Sequence, residues 1–177
     1  EQFRVVFEEL DRNDQVRIVV LRAEGKHFSS GGEIPGFLEK SPEHVAEMAR
    51  NIGAPERCRK PVVAAIQGYC FGVAFELSLA CDFRIATPAA RFGITPAKLG
   101  LVYSLHDTKL LVDLVGPSAA KRILFTAQLV DAAEAHRIGL VDEIAEDAGA
   151  AASSLAAIIA SVSPHSVRAS KAMIARI

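Results

Sequence analysis

KPVVAAIQGYCFGVAFELSLACDFRIAT, residues 60–87, is the stretch whose reading decides the fold. Its first part, KPVVAAIQG, holds a short apolar run, which reads as a buried strand. Gly68 and Gly72 bracket a tight turn, GYCFG, and the segment from Gly72 to about Ala80 follows as a helix, apolar almost all the way round. FRIAT then returns to strand. Strand, turn, helix and strand in such quick succession point to an α/β layered domain. One residue does not fit the pattern. Glu76 is a carboxylate flanked by Val73, Phe75, Leu77 and Leu79.

Outward from this stretch the alternation continues. Val5, Val6 and Leu10 recur at helical spacing, and VRIVVLRA (16–23) reads as another buried strand. EGKHFSSGGEIPG (24–36) is a glycine-rich loop. In SPEHVAEMARNI (41–52), Ser41 is placed as an N-cap, with Pro42 at the first helical position and Glu43 in the first turn. ARFGI is a further short strand. Beyond Tyr103 the pattern turns helical. TKLLVDLVG ends at Gly116, PSAAKRILFTA starts at Pro117, and DAAEAHRIG ends at Gly139. LVDEIA is a last short strand, and an Ala-rich helix broken by SPHS completes the chain. No linker or internal repeat divides residues 1–177, which read as a single domain.

Composition sets limits on function. The 177 residues are 50% hydrophobic and 23% charged, which suits one core of moderate size. A net charge of −1 gives no reason to expect a nucleic-acid or membrane partner. Cys58, Cys70 and Cys81, an odd number without regular spacing, argue against a disulfide framework and fit a reducing, cytoplasmic compartment. The five histidines show no metal-binding spacing, so no metal site is expected.

Three segments carry chemistry, each with a plainer alternative. In HFSSGGEI (27–34) paired glycines let backbone N–H groups approach a ligand, although a plain loop reads the same way. At Gly72 a strand-to-helix turn presents free N–H groups of the kind that stabilise an oxyanion. Glu76 follows one turn later. A buried carboxylate is costly unless it is paired or used. The pairing alternative would use Arg84 or Arg91. A rival reading takes GYCFG as a nucleophile elbow, with Cys70 attacking and Asp113 or Asp131 and His136 or His165 completing a hydrolase. Finally, TPAKLGLVYSLHD (95–107) places Tyr103, Ser104, His106 and Asp107 together. Here Ser104 or Asp107 reads most simply as a helix cap and Tyr103 as core packing.

Together these motifs, in their order, resemble the crotonase (enoyl-CoA hydratase/isomerase) superfamily. VRIVVLRAEGKHFSSGGEI is similar to its first oxyanion loop, KPVVAAIQGYCFGVAFELSLACDFRIATPAARFGITPAKLGL to its signature region, and LVGPSAAKRILFTAQLVDAAEAHRIGLVDEI to the segment after it. The resemblance implies an α/β fold, a crotonase-like spiral of ββα repeats with a helical C-terminal region. It also implies further strand and helix before Glu1 and more helix after Ile177. The implied substrate is an acyl-CoA thioester, with coenzyme A entering as part of the substrate and no separate cofactor. Gly32 and Val73 fall at the two oxyanion-hole N–H positions. Lys26, Phe28, Ser30, Gly31 and Gly72 fall where the family contacts CoA or substrate. Glu76 takes one of the hydratases' two acid/base positions, and Pro96 stands where they carry the second glutamate. Tyr103 matches a tyrosine of methylmalonyl-CoA decarboxylase-like members, although those place a histidine where this chain has Gly32. A non-catalytic acyl-CoA-binding relative is a further alternative. Assembly as a homotrimer or hexamer is implied.

Overall fold

The computed structural model describes residues 2–32, 41–94 and 96–177. Its centre is β2 (Val62–Ile66), buried at every position. Val62, Ala64 and Ile66 face one apolar cluster with Phe75, Phe92 and Leu111, while Val63 and Ala65 face another with Ile85, Ala148 and Ala152. A strand with core on both sides has no use for a polar alternation, which is why PVVAAI is uniformly apolar.

β1 (Val19–Arg22) and β4 (Phe83–Ala86) flank β2, and β7 (Glu143–Ile144) follows β4. All pair in parallel in the order β1-β2-β4-β7. α8 (Ala148–Ser161) covers one face through Ala148 and Ala152, whose small side chains let the helix lie close to the sheet. On the other face lies a second sheet, β3 (Tyr69–Phe71), β5 (Arg91–Gly93) and β6 (Val130–Asp131), in that order. α4 (Val73–Leu79) runs between them, with Ala74, Phe75, Ser78 and Leu79 buried. The α/β class and the helical C-terminal region agree with the sequence reading.

Two local features depart from it. GYCFG is more than a turn, because Tyr69–Phe71 pairs in parallel with Arg91–Gly93 as β3. The glycines at either end, both with positive φ, turn the chain from β2 into β3 and from β3 into α4. The break foreseen at Gly116–Pro117 survives as a kink inside α6 (Leu105–Thr126), where Gly116 alone leaves helical geometry at φ 74° and ψ 164°. The remaining helices are α1 (Gln2–Arg12), α2 (Pro42–Ile52), α3 (Ala54–Arg57), α5 (Pro96–Leu99), α7 (Ala132–Arg137) and α9 (Pro164–Ile174). Ser41 caps α2 as expected, accepting from the His44 N–H.

Two cations, Arg84 buried and Lys171 partly buried, tie the layers together. Arg84 on β4 is 2% exposed and donates to the carbonyls of Leu140 and Cys81 and to the Asp142 carboxylate. Lys171 on α9 reaches Asp82 Oδ2 at 2.6 Å and the carbonyls of Pro55 and Lys60 at 3.2 and 3.0 Å. Among the described residues no single helix is long and apolar enough to cross a membrane.

Candidate active site

The site begins where the loop after β1 meets the start of α4. Phe28 N–H donates to the Gln67 carbonyl at 2.7 Å, Ser29 N–H to the Tyr69 carbonyl at 2.8 Å, and Phe71 N–H to the Ser29 carbonyl at 3.1 Å. Ser29 thereby bridges in parallel to Cys70 and extends the β3 sheet. Gly31 comes so close that a Cβ there would lie 3.0 Å from the Phe71 carbonyl oxygen. Its φ of 98° is itself a glycine conformation. Gly32 follows beside Val73, where a Cβ would stand 3.7 Å from Val73 Cγ2. As the first residue of α4, Val73 has no acceptor for its N–H within the helix. Gly72, the cap residue, offers no side chain to it and instead donates its own N–H to the Gly93 carbonyl.

These residues border a cavity of about 230 Å³ walled by Phe28, Ser29, Gly31, Gly32, Val73, Ala74 and Leu77, with Leu21, Arg22 and Ala23 on the β1 side. Its lining is mostly apolar. Lys26 and Ser30 are exposed and lie outside this wall, and Gly72 stands behind it.

Glu76 lies one turn along α4, about 60° round the helix from Val73. That flank lies toward Tyr103 and Asp107, next to the wall residues Val73, Ala74 and Leu77. The carboxyl has no ion-pair partner among the described residues. Arg84 is committed to Asp142 and backbone carbonyls, and Arg91 to the carbonyls of Pro88 and Ala90. The pairing alternative therefore fails for both arginines. Burial, with the Asp107 charge adding to it, pushes the Glu76 carboxyl up to about 7, against a smaller opposing effect of Tyr103.

Tyr103 approaches from just ahead of α6. It is near enough to Glu76 for each to perturb the other, and burial together with Glu76 pushes its phenol further up. Yet its buried hydroxyl meets no partner at hydrogen-bonding distance and angle among the described residues. Ser104 is the N-cap of α6, accepting from the Asp107 N–H at 3.0 Å, and its hydroxyl also bonds the Asp107 carboxylate. Asp107 was foreseen only as a possible cap. Its influence on Glu76 had no signal in the sequence, because Tyr103 and Ser104 precede α6 and no helical spacing relates Asp107 to them.

The Cys70 hydrolase does not assemble. Burial pushes the Cys70 thiol up to about 12, and the side chain has no exposed surface. Asp113 pairs with Lys109, Asp131 caps α7, and His136 Nδ1 is engaged with the Val141 carbonyl.

The family model described as enoyl-CoA hydratase/isomerase matches residues 1–176. The chain belongs to the enoyl-CoA hydratase/isomerase family. It is 37% identical over 166 residues to the (E)-benzylidenesuccinyl-CoA hydratase of Thauera aromatica, an alignment covering 88% of this chain and 63% of that protein. A solved structure of an enoyl-CoA hydratase/isomerase family protein from Hyphomonas neptunium superposes with a TM-score of 0.91 at 38% identity. That match covers 97% of this chain and 69% of the other. An enoyl-CoA hydratase from Bacillus anthracis gives a TM-score of 0.90 at 30% identity, covering 98% and 70%. This enoyl-CoA hydratase/isomerase family member thus spans roughly two thirds of the length of its relatives. Its crotonase fold, α/β with a helical C-terminal region, is the one the sequence motifs implied.

Proposed function

We propose that this family member processes acyl-CoA thioesters by enoyl-CoA hydratase/isomerase-type chemistry through an oxyanion-stabilised enolate. The observation that carries the reading is Glu76. It is a carboxyl titrating at about 7, without an ion-pair partner among the described residues, one helical turn from Val73. A group half-protonated near neutral pH can both take and return a proton, which is the requirement for general acid–base catalysis. In this reading the N–H groups of Gly32 and Val73 hold the thioester oxygen. Fixed donors aimed there stabilise the negative charge that develops as the enolate forms. Phe28 and Gly31 wall the cavity beside them, and Lys26 and Ser30 stand at the exposed loop surface available to the CoA chain. The acyl-CoA named for the Thauera aromatica relative supports this substrate class.

Pro96, at the position of the hydratases' second glutamate, leaves Glu76 as the leading proton-transfer group. A single base can move a proton from one carbon of the enolate to another and so shift a double bond. The Tyr103 hydroxyl beside Glu76, without a hydrogen-bond partner among the described residues, favours a second reading, a decarboxylase in which Tyr103 contacts the departing carboxylate.

The test is turnover of a short trans-2-enoyl-CoA and of methylmalonyl-CoA, each with the protein and with Glu76→Gln. Hydration or double-bond migration that falls at least about 100-fold in the variant supports the first reading. Decarboxylation without either moves the chemistry to Tyr103. Failure to bind or turn over any acyl-CoA overturns the proposal.

A further inference from the structure

His27 makes a contact that neither the fold nor the proposed chemistry requires. The Tyr69 N–H donates to His27 Nδ1 at 3.2 Å. Three neighbouring links between the loop and residues 67–71 are backbone bonds, and this one is filled by a side chain. A backbone N–H can only donate, so Nδ1 must carry its lone pair. The imidazole is therefore neutral, with its proton on Nε2. The ring is also held flat, stacked on Tyr69 with centroids 4.2 Å apart and planes 2° from parallel. Tyr69 stacks in turn on Phe71 at 4.8 Å. The space for the ring exists because residue 68 is glycine, since a Cβ there would lie 2.3 Å from Nδ1.

We propose that His27 is a positioning residue whose neutral Nδ1 fastens the start of the glycine loop to β3, so that protonation of His27 releases the loop. Added to Nδ1, a proton turns the acceptor into a donor facing another donor, and the bond is lost. The loop then keeps its backbone links at Phe28 and Ser29 but loses the one that sets its entry. Gly32 lies five residues downstream, so alignment of its N–H with that of Val73 depends on this entry. The ionisable groups on the described elements around the ring are Lys26 and Glu24 in the loop, Tyr69 beneath it, Arg91 opposite Tyr69 on β5, and Asp131 opposite Arg91 on β6. The consequence for ligand binding rests on the function proposed above, whereas the hydrogen bond and its tautomer do not.

The test compares the protein with His27→Asn, whose Oδ1 offers an acceptor that cannot be protonated, and His27→Phe, which keeps the stacking and removes the acceptor. Imidazole ¹⁵N shifts should show Nδ1 unprotonated and Nε2 protonated at pH 8. Protection of the Tyr69 amide from hydrogen exchange should fall about three- to tenfold in His27→Phe, the range expected for one modest hydrogen bond. It should fall in the wild type as pH drops from 8 to about 5, where a free imidazole is protonated, and stay level in His27→Asn. Affinity for a saturated short acyl-CoA should weaken with acid in the wild type and less so in His27→Asn. A proton on Nδ1 at pH 8, or Tyr69 protection unchanged in His27→Phe, overturns the proposal. Equal acid loss of affinity in wild type and His27→Asn overturns the positioning role. If the Tyr69 amide behaves as described but no acyl-CoA binds at any pH, the clamp stands and the function proposed above is what fails.

Discussion

At the scale of single residues, Glu76 has an energetic signature separable from catalysis. Its carboxyl titrates at about 7 in the folded chain and in the ordinary glutamate range when unfolded. Between those values the folded state holds a proton that the unfolded state has released. Stability therefore falls as pH rises through that window, and the full cost is present above about 7. The difference corresponds to about 3 kcal/mol at most. Glu76→Gln should stabilise the protein by up to that amount at pH 8 and by little at pH 5, measured by urea unfolding at both. Equal effects at the two pH values would remove burial as the cause. The carboxylate was conspicuous in the sequence because every neighbour was apolar. Its relation to Tyr103 was not, because the two are 27 positions apart and meet only when α4 packs beside α6.

At the scale of elements, the turn into α4 depends on Gly72, held at φ 55° and ψ −122°. A Cβ there would have room, its nearest neighbour being Gly31 Cα at 3.8 Å. The cost of Gly72→Ala is thus backbone strain and not collision, and about 1–3 kcal/mol is expected in urea unfolding. If the turn opens to relieve the strain, Val73 moves away from Gly32 and acyl-CoA affinity falls together with stability. A variant at wild-type stability would show that the positive φ is not needed. Segments announced by a long, consistent pattern were readable, as β2 was from PVVAAI and the kink at Gly116 from its Gly-Pro pair. β3 was not, because three residues between two turn-forming glycines carry too little periodicity. Only its partner Arg91–Gly93, contributed from further along the chain, makes it a strand.

Over the whole molecule, the sheet and the helices on it are joined by a few buried polar contacts between distant segments. Lys171 makes one such set, since its partly buried ammonium satisfies Asp82 and the carbonyls of Pro55 and Lys60. Lys171→Met should keep the aliphatic packing but leave the partly buried Asp82 carboxylate without its cation. A loss of about 3 kcal/mol is expected at neutral pH and a smaller one in strong acid, and thermal unfolding across pH would measure it. A loss independent of pH would mean that packing, and not the ion pair, holds α9. The contact also has a consequence in time. Residue 171 is made 89 positions after Asp82, a delay of roughly 4–18 s at ordinary rates of synthesis. Throughout that interval the nascent sheet carries an acidic group awaiting its counter-charge. On the ribosome, then, the sheet at Asp82 waits for a helix made 89 residues later, and a chain stalled before Lys171 would carry Asp82 without its cation.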